Sequence, residues 1–225
     1  MRTIIRLGFS TICLMIAAHS SAADKPKSET ERFSYAIGLQ IGQNMKQQGT
    51  EIDSKSLVLG LQDGLSGAPA KLTNDEMQAA VQAQHQREAA KRESVAKKNL
   101  DAGQAFLTEN KKKSGVVARP SGLQYKVLKD GKGKQPKASD TVEVHYRGTL
   151  LNGTEFDSSY QRNQTATFPV HGVIQGWQEV LPLMKEGAKW QVWIPAALAY
   201  GERGAGRAIG PNETLTFEIE LIAVK

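Results

Sequence analysis

Cysteine is almost missing from these 225 residues: Cys13 is the only one, and it lies inside an apolar run from Leu7 to Ala18. Its neighbours Ile12 and Leu14 leave no small residue just before it, which argues against lipid attachment there. Arg2 and Arg6 precede the run and Ser20, Ser21, Ala22 and Ala23 follow it, so residues 1–23 have the pattern of a cleavable secretory signal. The run is too short to span a bilayer comfortably. The expectation is an exported, soluble protein of the periplasm, with outer-membrane association as the alternative. Removing the signal leaves no cysteine, which excludes intramolecular disulfides and thiolate catalysis. It also removes two basic and no acidic residues, so the formal charge falls from +6 to +4. Such mild basicity, together with export, argues against a nucleic-acid partner.

Histidine is scarce too. His85, His145 and His171 have no ligand at a metal-like spacing, and no metal is expected. The glycine-rich stretch from Gly201 to Gly210 lacks the Lys-Ser/Thr of a phosphate loop and does not lead from a strand into a helix, so no nucleotide cofactor is expected either.

What is present falls into a helical front half and a strand-rich back half. Ser28 to Glu31 reads as a capping box that opens a helix, with Phe33, Ile37, Ile41 and Met45 at four-residue spacing and Gly49 as its stop. Asp53 caps a second helix through Leu57, Leu61 and Leu65, ending near Gly67. Residues 24–72 are too few to bury these faces alone, which predicts a dimerisation region. Gly38 and Gly42, four apart, would let a second backbone approach closely or are simply tolerated.

Thr73 to Glu76 reads as another capping box and begins a proline-free stretch, rich in Ala, Gln, Glu, Lys and Arg, to about Lys113. Its apolar positions, among them Val81, Val95, Leu100 and Phe106, look too sparse for a core face. The expectation for 73–114 is a solvent-crossing stalk helix, polar nearly all round, with Lys111 to Lys113 as its solvated last turn.

From residue 115 to 225 the period becomes twofold. Leu123, Tyr125 and Val127 alternate, as do Val142, Val144 and Tyr146, then Trp190, Val192 and Ile194, and finally Leu215, Phe217, Ile219 and Leu221. One short helix, about Gln175 to Lys185, interrupts them. The fold class is α+β: a C-terminal antiparallel sheet wrapped on one short helix, preceded by an all-α dimerisation region and a long stalk. Tyr146, Phe156, Trp177, Tyr200 and Phe217 fall on different elements of that small domain, where each taken singly reads as core.

The motifs VHYRGTLLNGTEFDSS, VIQGWQEVLPLMKEG, AYGERG and IGPNETLTFEIELI, in this order, resemble the FK506-binding-protein (FKBP) family of peptidyl-prolyl isomerases over about residues 115 to 225. SYAIGLQIGQNM and the long stalk are similar to its exported bacterial subgroup, which includes the macrophage infectivity potentiator. The resemblance implies a short helix across the concave side of a five- or six-stranded sheet, enclosing an apolar pocket for a prolyl ring. It assigns Tyr146, Phe156, Val173, Ile174, Trp177, Ile209 and Phe217 to substrate binding, Asp157 and Tyr200 to catalysis, and Arg162 to a position facing Asp157. Ala166 stands where some members carry a pocket aromatic and Leu198 replaces a tyrosine, which implies a more open rim. The partners implied are proline-containing unfolded polypeptides and tacrolimus- or rapamycin-type ligands.

No nucleophile is needed for such a reaction. Rotation about an Xaa-Pro bond breaks C–N conjugation against a barrier of about 18–20 kcal/mol and takes roughly tens to hundreds of seconds unaided. A site that binds the twisted amide better than either planar form accelerates it. Asp157 has two readings, a turn residue beside Ser158 and Ser159 or a carboxylate that braces the pocket wall. Two functions follow: an exported prolyl isomerase for protein folding, or a dimeric chaperone whose isomerase activity is incidental.

Overall fold

The structure is a computed structural model and describes residues 25–225. The expected signal at 1–23 lies outside the described residues. The chain divides into two compact units, the second beginning at Asn74.

The first unit holds helix α1 (Glu29–Gln48) and helix α2 (Ser54–Ser66). The Ser28 side chain accepts from the Glu31 N–H at 3.1 Å while the Glu31 carboxylate accepts from the Ser28 N–H at 3.0 Å, so the capping box is closed in both directions. Gly49 ends α1 in the left-handed conformation that glycine adopts without a Cβ penalty. The Asp53 carboxylate caps α2 by accepting from the Ser56 N–H at 2.8 Å. Neither helix has a buried residue.

The second unit opens with helix α3 (Asn74–Asn110), whose 37 residues extend about 55 Å at 1.5 Å per residue. It is followed by strands β1 (Val116–Ala118), β2 (Gln124–Lys129), β3 (Thr141–Leu150), β4 (Glu155–Ser158) and β5 (Ala166–Pro169). Helix α4 (Gln175–Val180) comes next, then β6 (Lys189–Ile194) and β7 (Leu215–Val224). The sheet is antiparallel throughout in the order β1-β2-β6-β7-β3-β4. It has seven strands where five or six were implied. The difference arises because β5 and β4 pair in turn with the first and second halves of the same edge of β3, and because the three-residue β1 adds a rim to β2.

The inward set read from the twofold period is the core. Val142, Val144 and Tyr146 of β3, Trp190, Val192 and Ile194 of β6, and Leu215, Phe217, Ile219 and Leu221 of β7 are all buried. On β2 the alternation fades: Leu123, just before it, is fully buried, but Val127 is exposed. The helix anticipated over 175–185 stops at Val180 and continues as a 3₁₀ turn, Leu181–Leu183, because Pro182 has no N–H to donate. Gly176 lets α4 lie close on the sheet, since a Cβ there would sit 2.5 Å from Ile194 Cγ2. Arg119 ties α4 to the segment before β2 by an ion pair to Glu179 at 3.1 Å.

Helix α3 departs from the solvent-bridge expectation over its last third. A stripe spaced alternately by three and four residues (Ala96, Asn99, Gly103, Phe106, Asn110) faces the sheet domain, as the periodicity of one helix face requires. Gly103 is buried, and any Cβ there would lie 2.3 Å from Thr214 Oγ1. Phe106 meets Trp193 with ring centroids 6.5 Å apart. Asn110 is 1% exposed and donates to Gln124 Oε1 at 3.0 Å, while Gln124 Nε2 donates to the Leu107 carbonyl at 2.8 Å. The helix ends at Asn110, and Lys111 to Lys113 lie in the exposed turn beyond it.

Candidate functional site

The period of β3 places Tyr146 and Gly148 on one face, and β4 runs alongside with Asp157 opposite Gly148. The hairpin between them turns at Gly153, whose φ of +87° suits glycine, and whose N–H donates to the Leu150 carbonyl at 3.0 Å. Beyond β4 the buried Ser159 bolts the chain back to β3: its hydroxyl accepts from the Tyr146 N–H at 2.8 Å, and its own N–H donates to the Tyr146 carbonyl at 2.9 Å. Phe156 lies over β3 at Gly148, where a Cβ would come within 2.6 Å of the Phe156 ring and 2.8 Å of the Phe217 ring. A residue without a side chain is what lets two aromatics close over the strand.

Helix α4 supplies the floor. Trp177 is 4% exposed and meets Tyr146, Phe168 and Phe217 edge to face, with ring centroids 5.4, 5.9 and 5.3 Å away. Phe156 meets Phe217 in the same way at 5.6 Å. Edge-to-face pairs of this kind add about 0.5–1.5 kcal/mol each beyond the area they bury. The turn before α4 brings in Val173 and Ile174, held by Gln178 Nε2, which donates to the Val173 carbonyl at 2.6 Å. Tyr200, partly exposed, also lines the space. The result is a cavity of about 350 Å³ with aromatic walls. Among the described residues, neither the Ile174 N–H nor the Tyr200 hydroxyl has a protein hydrogen-bond partner. The Trp177 indole N–H is likewise buried without one.

One wall is braced electrostatically. The Tyr146 hydroxyl donates to Asp157 Oδ2 at 2.5 Å, Arg162 Nη1 donates to Asp157 Oδ1 at 2.6 Å, and Arg162 Nη2 donates to the Tyr146 oxygen at 2.9 Å. Three side chains thus form a closed triangle. Burial works to raise the Asp157 pKa, but the hydrogen bonds from Tyr146 and Arg162 and the arginine's charge outweigh it and hold the carboxyl below its ordinary value. Tyr146 is pushed up from its usual value by burial and by its hydrogen bond to Asp157. Arg162 is raised by the same two partners and stays charged.

A carboxyl with a lowered folded-state pKa contributes stability that is present above its ordinary value of about 3.9 and is lost as pH falls through the lowered value. No group in the triangle titrates near neutrality. The isomerisation rate constant kcat/KM is therefore expected to be flat from about pH 5 to 9 and to fall only in more acid solution, as measured by exchange NMR on a proline tetrapeptide. A bell-shaped profile centred near neutrality would contradict this.

Two family models match the chain. One, described as FKBP-type peptidyl-prolyl cis-trans isomerase, matches residues 132–222, and the other, the domain amino terminal to it, matches residues 30–127. The peptidyl-prolyl cis-trans isomerase Mip of Coxiella burnetii is 43% identical over 97% of each chain. The outer membrane protein MIP of Legionella longbeachae is 46% identical over 99% of this chain and 95% of its own. The crystal structure of FkpA from Escherichia coli has a TM-score of 0.65 at 38% identity, covering 88% of this chain and 98% of that one. The chain belongs to the FKBP-type peptidyl-prolyl isomerase family. It is a peptidyl-prolyl cis-trans isomerase.

Of the residues anticipated for the FKBP pocket, Tyr146, Phe156, Asp157, Val173, Ile174, Trp177, Tyr200 and Phe217 line the cavity. Arg162 lies behind the wall, on Asp157 and Tyr146, with its guanidinium 5.7 Å from the Tyr146 ring centroid. Ile209 is buried in the core cluster and is not among the lining residues. Phe168 and Gly172 also line the cavity and were not anticipated. The signal for Phe168 was its position two residues after Ala166 on an edge strand, a pattern too short to stand out. Ala166 and Leu198 are partly buried against the core, and neither is among the lining residues. His145 takes no part in the pocket: its Nδ1 is 3.0 Å from Ser159 Oγ and its ring stacks on Tyr160 at 4.8 Å.

Proposed function

We propose that the aromatic cavity between α4 and the sheet is where this isomerase binds and twists the Xaa-Pro bond of unfolded or partly folded exported proteins. The observation that carries the reading is the pairing of an aromatic chamber with two hydrogen-bonding groups, the Ile174 N–H and the Tyr200 hydroxyl, that have no protein partner among the described residues. The prolyl ring sits on Trp177, between Tyr146, Phe156, Val173 and Phe217. There water is kept from the amide carbonyl, whose planar, charge-separated form water favours most, so rotation becomes easier. Tyr200 donates to a substrate carbonyl and the Ile174 N–H to another, fixing the flanking peptide. Asp157 and Arg162 brace the wall and move no proton. An acceleration of about 10⁴ requires these effects to supply roughly 5.5 kcal/mol to the transition state. Tacrolimus- and rapamycin-type ligands, whose ring carries a prolyl-like amide, fit the same chamber.

The helical front half supports a second reading, in which the protein is a homodimer that also acts as a chaperone. Helices of 20 and 13 residues with no buried side chain are marginal alone. Phe33 is 67% exposed and Leu65 89% exposed, with Ile37, Ile41 and Leu61 exposed between them. A Cβ at Gly38 or Gly42 would meet nothing within 4 Å, so packing within the chain does not demand glycine there, and close approach of a second copy gives a reason for both. Export is supported by the leader pattern and by the name of the Legionella longbeachae relative, an outer membrane protein.

A cut at Gly115 would strip away the docked end of α3, so the fragment that separates the two roles begins with that helix. A chain beginning at Asn74 keeps the second compact unit whole. It is expected to isomerise a tetrapeptide within about twofold of the full chain, to sediment as a monomer, and to lose protection of an aggregating client, since linked sites gain avidity on one extended chain. A dimeric fragment, or one that protects the client fully, would contradict the division of labour.

A further inference from the structure

The pocket's Tyr200 and the core residue Ile209 belong to opposite arms of one glycine-rich loop, and that loop is held from outside by α3. Gly201, Gly204, Gly206 and Gly210 give the segment a large conformational entropy to lose. Its internal ties are few: Ala205 and Ile209 exchange backbone hydrogen bonds at 2.9 and 3.2 Å, and the Gly201 carbonyl accepts from the Asn212 N–H at 2.8 Å and from the Gly204 N–H at 3.3 Å. Ile209 also packs into the core, and further grip on both arms comes from the helix. Arg92 Nη2 donates to the carbonyls of Glu202 and Arg203 at 3.2 and 2.9 Å, two and three residues after Tyr200. Asn99 Nδ2 donates to the Pro211 carbonyl at 2.9 Å, two residues after Ile209. Asn212 Nδ2 returns a long bond to the Ala96 carbonyl at 3.5 Å. Arg92 lies one turn before Ala96 and Asn99 on the same face, at spacings of four and three, so one helix face clamps both arms.

We infer that Arg92 and Asn99 are positioning residues for the isomerase, holding the 201–212 loop so that Tyr200 meets substrate already ordered. The inference builds on the reading of Tyr200 as a substrate-facing group. Neither Arg92 nor Asn99 lines the cavity. Their effect is on population: with the clamp gone, the binding-competent loop is a fraction of the ensemble, and apparent affinity falls by that fraction. The signature is a rise in KM with kcat little changed, since bound substrate reorders the loop.

The test is the full chain carrying R92A/N99A, beside Arg92→Lys, which keeps one ammonium donor. Hydrogen exchange of the Gly201–Asn212 amides is expected to speed up about tenfold in the double variant while amides of β3, β6 and β7 are unchanged. KM for a proline tetrapeptide is expected to rise about fivefold with kcat within about twofold, and Arg92→Lys is expected to fall between wild type and the double variant on both readouts. Unchanged loop exchange overturns the proposal. So does unchanged KM, or faster exchange spread over the whole sheet, which would make α3 a general support. Tyr200→Phe is run alongside: if it leaves KM and kcat intact, the substrate-facing reading of Tyr200 fails, while the exchange data still decide whether the helix holds the loop.

Discussion

Asp157→Leu is expected to lower kcat/KM for a proline tetrapeptide by about tenfold, a loss of roughly 1.4 kcal/mol from the transition state, while the chain stays folded. The carboxylate accepts from Tyr146 and Arg162 at once, and leucine leaves both donors facing apolar surface. Charge-assisted bonds of this kind are worth about 1.5–3 kcal/mol each when buried. Here the Asp157 side chain is 43% exposed and Arg162 51%, so water replaces part of what is lost and the effect on stability is about 1 kcal/mol or less. Activity is more sensitive because Tyr146 is a pocket wall, and its ring is aimed by the bond from its hydroxyl. Asp157→Asn separates shape from charge, since it keeps an acceptor for Tyr146 but pairs poorly with Arg162. Most of the activity should survive if shape dominates. Wild-type activity in Asp157→Leu would dismiss the brace.

Trp177→Ala is expected to be the most damaging single change, costing about 3–5 kcal/mol in urea unfolding, the range for truncating a large buried aromatic. Three rings meet the indole edge to face, and all three lose that contact in the variant. The cavity it leaves opens into the pocket, so activity should be lost at temperatures where the variant is still folded. Trp177→Leu, which keeps apolar volume, should recover about half of the stability and less of the activity, because a branched aliphatic gives the prolyl ring no flat platform. Stability and activity falling together in both variants would mean that Trp177 is core alone.

The sheet was legible in the sequence because its inward residues are large and alternate strictly, as with Val142, Val144 and Tyr146 or Leu215, Phe217, Ile219 and Leu221. The two front helices were legible from their caps, since Ser28, Glu31, Gly49 and Asp53 each do locally what their chemistry predicts. Composition alone could not separate pocket from core: Trp177 and Phe217 are buried members of the core cluster, and only the motif resemblance set them apart. The docked face of α3 was missed for a physical reason. Its members are Ala96, Asn99, Gly103, Phe106 and Asn110, of which one is large and apolar, so a count of hydrophobic side chains reports nothing. The face works by closeness and hydrogen bonding, with a glycine to admit Thr214, Asn99 donating to a backbone carbonyl and Asn110 to the Gln124 side-chain oxygen. A heptad-like spacing of small and amide residues was the available signal. Phe168 was missed because β5 pairs only four residues with β3, too short a run for its alternation to show.

Catalysis at the aromatic chamber, by binding the twisted amide without proton transfer, is tested most directly by watching pocket and reaction in one sample. The full chain labelled with ¹⁵N is titrated with a proline tetrapeptide while the Trp177 indole resonance and the peptide's cis–trans exchange are recorded, first alone and then with a tacrolimus-type ligand added. The indole signal should shift saturably with peptide, and exchange should return to the uncatalysed rate in proportion to the pocket occupied by the ligand. Undiminished exchange with the pocket full would place the chemistry elsewhere in the molecule.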